Sequence, residues 1–129
     1  MKTINVVAAI IVRENCVLAT QKAKGDWKDF WEFPGGKIEQ GEKAEDAVVR
    51  EIREELSATV SVQKEIATVE FDYPQFHLFM RCFLCALKSD EIFLNEHKNF
   101  RWISRADLKN LKWLPADECV LEKIASFLD

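Results

Sequence analysis

The sequence predicts an α/β protein built on a mixed β-sheet. Three observations point there. Apolar and β-branched runs at Ile4 to Val12, Cys16 to Gln21, Ala58 to Val62, Ile66 to Phe71 and Phe76 to Leu87 read as strands separated by turn residues. Ala44 to Ser57 contains no Gly or Pro, and Ala44, Ala47, Val48, Ile52 and Leu56 recur at helical spacing. Near the end of the chain, Ala116, Val120, Leu121, Ile124 and Leu128 give a second helix, spanning about Pro115 to Phe127, its apolar side.

Taken in order, the first two runs meet at Glu14-Asn15 and form a hairpin. Arg13-Glu14-Asn15 ends the N-terminal run well short of a membrane span, so a buried strand is the reading rather than a signal peptide. Lys22 follows, then Ala23 to Asp29 is a polar loop, and Trp31-Glu32-Phe33-Pro34 a short extended segment. Pro34 fixes the approach to a glycine loop, where Gly35 and Gly36 let the backbone come close to a ligand. Asp72-Tyr73-Pro74-Gln75 is the turn of a second hairpin. Ser89 to Asn99 is a polar connection carrying Glu96 and His97, and Phe100 to Ile103 is a strand. Ser104 to Leu108 resembles a capped helix start, and Leu111 to Pro115 links it to the last helix.

With 129 residues, 48% of them hydrophobic, the chain has the size of one domain, residues 1–129, with a proper core. A formal charge of −4 and a pI near 5.3 argue against a surface for DNA or RNA. Cys16, Cys82, Cys85 and Cys119 have no secretory context and read as reduced thiols in a cytoplasm. Cys82 and Cys85 have a C-x-x-C spacing, but in a strand residues three apart point to opposite faces, which favours a structural reading over zinc or redox chemistry. His77, alone in an apolar strand, reads as a hydrogen-bonded structural histidine.

The chemistry concentrates after the glycines. From Gly36, five residues lead to Glu42, seven more to Arg50-Glu51, and two more to Glu54-Glu55. Glu51, Glu54 and Glu55 fall within about a third of the helix circumference. Carboxylates packed this closely repel unless a cation lies among them, and Mg²⁺ takes such oxygen ligands, commonly shared with substrate phosphates. An acidic protein acting on an anionic substrate needs such a local cation. Arg50 and Arg53 flank the cluster and relieve part of the repulsion.

This spacing resembles the Nudix box, and the chain is similar to MutT-type nucleoside triphosphate pyrophosphohydrolases through Glu32-Phe33-Pro34-Gly35-Gly36-Lys37-Ile38-Glu39 and Ala47-Val48-Val49-Arg50-Glu51. Ser57 and Ala58 depart from the family's Gly and bulky aliphatic residue, which predicts a different helix C-cap with little lost chemistry. The resemblance implies a mixed sheet sandwiched between the catalytic helix and the C-terminal helix. It implies Mg²⁺, or Mn²⁺, held by Glu54, Glu55, the Gly35 carbonyl and Glu96, with Glu51 as general base or further ligand and Arg50 orienting the glutamates. Substrate contacts implied are Lys22, in the place of an arginine that meets phosphates, together with Glu32, Phe33, Pro34, Gly35 and Lys37. Exposed loop residues such as Lys22 and Glu96 also read as solvated surface.

The implied reaction is attack of water on a nucleoside triphosphate, releasing nucleoside monophosphate and pyrophosphate. The partner is the nucleotide, with no nucleic-acid polymer and no membrane. Asp117, in Pro115-Ala116-Asp117, stands where MutT-type enzymes for oxidised guanine nucleotides carry an asparagine, and the tripeptide resembles CTP pyrophosphohydrolases. An ionised aspartate only accepts and favours cytosine N4; a protonated buried one suits an oxidised purine such as 8-oxo-dGTP; a helix cap is the plain structural reading. Phe76 replaces a family arginine, and Phe33, Tyr73, Phe76 and Trp113 are candidates for stacking on the base. Enzymes for ADP-ribose or dinucleoside polyphosphates share the box, and a nucleotide-binding sensor without turnover shares the fold.

Overall fold

The computed structural model describes residues 1–129. Strand β1 (Thr3–Arg13) turns directly into β2 (Cys16–Lys22), with Val12 opposite Val17 and Arg13 opposite Cys16. Glu14 and Asn15 between them have φ of 50° and 64°, the left-handed pair that a two-residue hairpin requires. Short strands β3 (Trp31–Glu32) and β4 (Gly35–Lys37) follow, the first on β2 and the second on β1. After helix α1 (Ala44–Leu56) come β5 (Val60–Tyr73) and β6 (Phe76–Leu87), paired antiparallel, with β6 parallel to β1 from Thr3/His77 to Ile11/Cys85. Strand β7 (His97–Ile103) completes the sheet on β2.

The order β3-β2-β1-β6-β5 places β1 at the centre, covered on both faces. Its side chains alternate between two cores. Val7, Ala9 and Ile11 join Ala44, Ala47, Val48, Ile52 and Leu56 of α1. Ala8 and Ile10 join Ala116, Val120, Leu121, Ile124 and Leu128 on the other face. The predicted sandwich is therefore built by a continuous apolar strand serving two layers, and it aims α1 across the glycine strand.

Several elements differ from the sequence reading. The glycine loop is strand β4, with Gly35 opposite Ala8 and Gly36 opposite Val7. Two predicted strands at Ala58 to Val62 and Ile66 to Phe71 are the single β5, interrupted only by bulges at Val62/Lys64 and Glu65/Ala67, which disturb the apolar alternation without ending the strand. Strand β7 begins at His97, three residues before Phe100, because its polar start pairs with β2. The helix predicted from Ser104 is a 3-10 helix, Arg105–Asn110, with no side-chain cap. The last helix is broken into α2 (Pro115–Glu118) and α3 (Leu121–Ala125), since the Cys119 and Val120 amides bond three residues back and tighten the turn. Ser57 closes α1 in the left-handed conformation, φ 51°, so the cap keeps the geometry a glycine would adopt.

Cys82 and Cys85 lie in cores on opposite faces of the sheet, and burial pushes both thiols up to about 12. All four cysteines are free. His77 hydrogen-bonds Asp72 at 2.5 Å and Glu70 at 2.9 Å, which raises its pKa, first through Asp72. No helix is long and apolar enough to cross a membrane.

A Cβ on Gly35 would lie 2.0 Å from the Val7 carbonyl oxygen, part of the strand that organises both cores. Gly35→Ala should destabilise the protein by about 2–3 kcal/mol, as overpacking against rigid backbone does. Urea unfolding checks this, the expected result being a lower midpoint with an unchanged slope.

Candidate active site

Arg50 is the hub of the acidic helix. Its Nε and Nη2 donate to the two carboxylate oxygens of Glu42 at 2.7 and 2.9 Å, Nη1 to Glu51 at 2.8 Å and to Glu54 at 3.2 Å, and Nη2 to the Lys37 carbonyl at 3.0 Å. The forked bond to Glu42 is a strong, oriented pair. Arg50, joined by the Glu39 amide, pulls the Glu42 pKa down to about 2. Glu42 had appeared in the sequence only as a motif position; here it anchors the residue that arranges the others.

Glu55 is 7% exposed and accepts from the Gly35 amide at 3.0 Å. Burial, then the charges of Glu32, Glu51 and Glu96, push its pKa up to about 9. Glu51 is raised by burial as well, against the pull of Arg50. Its carboxylate lies where a Cβ on Gly36 would be, 1.9 Å from that position. Beyond the helix, the Phe93 amide donates to the Leu56 carbonyl at 2.9 Å and the Asn95 amide to the Glu55 carbonyl at 3.0 Å. The Asn95 side chain donates to the Glu54 carbonyl and to the Ser57 hydroxyl, both at 2.9 Å. These bonds satisfy the last carbonyls of α1 and carry Glu96 to the cleft that Glu55 lines.

The donor set suits a hard divalent cation: oxygen ligands only, and a buried carboxylate whose charge its neighbours disfavour. No three acidic, histidine or cysteine side chains already converge on one point. Glu54 in particular is 56% exposed at its side chain and turned to Arg50.

Beside the acids lies a cavity of about 280 Å³, with Trp27, Phe33, Tyr73 and Phe76 in its walls and Lys22, Glu32 and Lys37 among its polar lining. Asp117 is also in its lining, 5% exposed, accepting from the Phe33 amide at 2.8 Å. Burial, then the charge of Glu32, raises its pKa well above the ordinary range, while the Phe33 amide and Lys22 oppose. Ionised Asp117, the form that would read cytosine N4 purely as an acceptor, is therefore disfavoured. Asp117 sits in the first turn of α2, but its bond goes to β3's neighbour Phe33, not to the helix end as a cap.

Two predicted residues are placed elsewhere. Trp113 stacks on Phe33 from the core, 4.6 Å between ring centroids, and its indole donates to the Leu108 carbonyl at 2.6 Å. Pro34 does not line the cavity; its carbonyl accepts from Ala9 at 2.8 Å. Trp27 was missed because it lies in a polar stretch, although a tryptophan there was itself a signal. A second, open cleft is lined by Lys22, Glu32, Glu55, Asn95, Glu96 and His97, and Lys22 and Glu32 alone border both spaces.

Sheet, acidic helix and adjoining cavity together are those of a hydrolase of phosphoric anhydrides, and a NUDIX domain model matches residues 1–124. The chain belongs to the Nudix family. It is 33% identical over 123 residues to a CTP pyrophosphohydrolase of Escherichia coli, covering 95% of this chain and 91% of that protein. To an 8-oxo-dGTP diphosphatase of the same organism it is 32% identical over 126 residues, 96% of this chain and 98% of the other. The crystal structure of a MutT Nudix hydrolase from Burkholderia pseudomallei superposes with a TM-score of 0.86 at 26% identity, covering 95% of this chain and 98% of that one.

Folding raises the Glu55 pKa from an ordinary 4.5 to about 9, so the folded chain binds this proton more tightly than the unfolded chain does. That contribution is complete below the unfolded value and is lost as pH rises toward the folded one. Thermal unfolding in chelator should therefore shift to lower temperature between about pH 6 and pH 9, and Glu55→Gln should flatten that slope. Added Mg²⁺ should raise the midpoint more at the alkaline end, where the carboxylate is free to bind it.

Proposed function

We propose that this protein is a Mg²⁺-dependent nucleoside triphosphate pyrophosphohydrolase acting on (d)CTP-type or oxidised nucleotides such as 8-oxo-dGTP. The observation that carries this reading is the adjacency of the acidic helix to an aromatic-walled cavity of nucleoside size, with Lys22 and Glu32 at the boundary. The relatives named for CTP and for 8-oxo-dGTP support the same class of substrate.

Glu54, Glu55, Glu96, the Gly35 carbonyl and, in one of its two roles, Glu51 would hold Mg²⁺ or Mn²⁺, which supplies charge neutralisation at the phosphates and a more acidic water. Water attacks one phosphorus of the α–β anhydride, the bond from that phosphorus to the bridging oxygen breaks, and the other half leaves with the bonding electrons, so that nucleoside monophosphate and pyrophosphate are released. Glu51, in its other role, takes the proton from the attacking water; its burial beside Gly36 gives it the raised basicity that this needs. Arg50 keeps Glu51 and Glu54 oriented. Lys22 and Lys37 meet the phosphates as mobile point charges.

Asp117 reads the base. Burial favours its protonated form, which donates and accepts as a carboxamide does, so the aspartate and an asparagine become chemically alike here. The Phe33 amide holds one oxygen and leaves the other to face the cavity.

Pyrophosphate release with Mg²⁺ over CTP, dCTP, 5-modified dCTP, dGTP, 8-oxo-dGTP, ATP, ADP-ribose and diadenosine polyphosphates tests the reading. Turnover concentrated in cytosine nucleotides or 8-oxo-dGTP is expected; turnover only of ADP-ribose or the dinucleotides rejects it. Glu54→Gln should lower kcat by about 10²-fold or more, the scale of a lost charge-stabilising group, with an unchanged unfolding midpoint because the side chain is exposed. Asp117→Asn should keep the substrate ranking with kcat/KM within about tenfold, whereas Asp117→Leu should lose about 10²-fold. A change of preferred base in Asp117→Asn would mean that the ionised carboxylate is the reader.

A further inference from the structure

His97 is buried at 9% exposure beside the active site, and no catalytic role yet uses it. Its Nε2 lies 2.9 Å from Glu32 Oε2, and its Nδ1 is buried with no partner in the protein. A carboxylate oxygen can only accept, so Nε2 is the donor in this bond. Among the protein's own groups, the ring's one polar attachment is to Glu32.

The placement depends on an irregularity of the sheet. Gln21 pairs with Asn99, and regular antiparallel pairing would set Lys98 opposite Lys22. Instead a bulge sets His97 opposite Lys22, and the Lys98 amine bonds Asp29 Oδ1 at 2.7 Å. Residues opposite each other share a face of the sheet. Thr20 lies opposite both Glu32 and Phe100, and Lys22, two residues on, shares its face. The bulge therefore turns His97 onto the face that carries Lys22 and Glu32; without it, the alternation of the strand would turn the imidazole away. Glu32 is fixed from two sides, since the Thr20 hydroxyl donates to its carbonyl at 3.1 Å while His97 holds its carboxylate.

We infer that His97 is a positioning residue for the nucleotide: through the bulge at Lys98 it holds the Glu32 carboxylate at the boundary between the nucleoside cavity and the acidic cleft. This rests on the pyrophosphohydrolase reading above for its substrate class. On this proposal Glu32 acts as a contact to the bound substrate, so its orientation affects ground state and transition state alike. Losing that orientation raises KM and leaves kcat in place.

The experiment compares His97→Leu, which fills the space without a donor, with His97→Gln, whose amide nitrogen reaches the place of Nε2. The readouts are KM and kcat for the preferred triphosphate, and the Kd of its non-hydrolysable α,β-methylene analogue with Mg²⁺ by calorimetry. Thermal unfolding verifies that each variant folds; should His97→Leu fail, His97→Asn, whose amide is too short to reach Glu32, replaces it. His97→Leu is expected to raise KM and Kd about tenfold with kcat within about twofold, and His97→Gln to stay within about threefold of the wild type, as for loss and rescue of one buried hydrogen bond to a charged group. Equal binding by His97→Leu and wild type overturns the inference, as does equal loss in both variants, or a fall in kcat with Kd unchanged. Failure of the wild type to hydrolyse any triphosphate while binding the analogue would sink the pyrophosphohydrolase reading alone, because the Kd comparison still tests the positioning role. A wild type that does not bind the analogue overturns both.

Discussion

The backbone of Gly35 and Gly36 runs between β1 and α1 with no space for a side chain on either residue. On one side a Cβ would strike the Val7 carbonyl; on the other it would strike the Glu51 carboxylate. This close approach joins the two layers that carry the chemistry. It lets the Gly35 amide reach Glu55 and lets Glu51 pack against backbone instead of against another side chain. The apolar stripe of α1 fixes the helix on β1, and the glycines then set how near its polar edge comes to the sheet.

A cluster of carboxylates assembled this way repels itself, and the fold answers with directed polar groups. Arg50 gathers Glu42, Glu51 and Glu54, while Glu55 is left buried among the charges of Glu32, Glu51 and Glu96. The end of α1 is held by backbone and side-chain bonds from Phe93 and Asn95, which satisfy its carbonyls and bring Glu96 to the cleft. Ser57 accepts a left-handed backbone there at a cost of about 1 kcal/mol relative to glycine, offset in part by the bond from Asn95 to its hydroxyl.

The cavity beside the acids has a different character. Its walls include four aromatic side chains, and its most buried polar group is a carboxyl whose charged form burial disfavours. Lys22 and Glu32 form the border between this space and the charged cleft. On the proposed reading, a nucleotide, apolar at one end and highly charged at the other, would match that division, with the base in the aromatic-walled part and the phosphates toward the acids.

The local content of the chain was legible residue by residue. Ala44, Ala47, Val48, Ile52 and Leu56 announced α1, the spacing from Gly36 to Glu55 announced the acidic site, and Ile4 to Val12 announced a buried strand. What depends on partners distant in sequence was not legible. No local signal marks the break between α2 and α3, which follows from bonds tightening around Cys119 and Val120. The charge state favoured at Asp117 is set by burial and by Glu32, 85 residues earlier in the numbering. Trp27 enters the cavity by its edge contact with Tyr73, and His97 reaches Glu32 through one extra residue in a strand pairing. Sequence by itself determined the periodic faces and the order of the reactive groups, because these follow from chain geometry over a few residues. Tertiary structure alone decided which groups lose water and which carboxylates face each other, because desolvation and electrostatic coupling act through space.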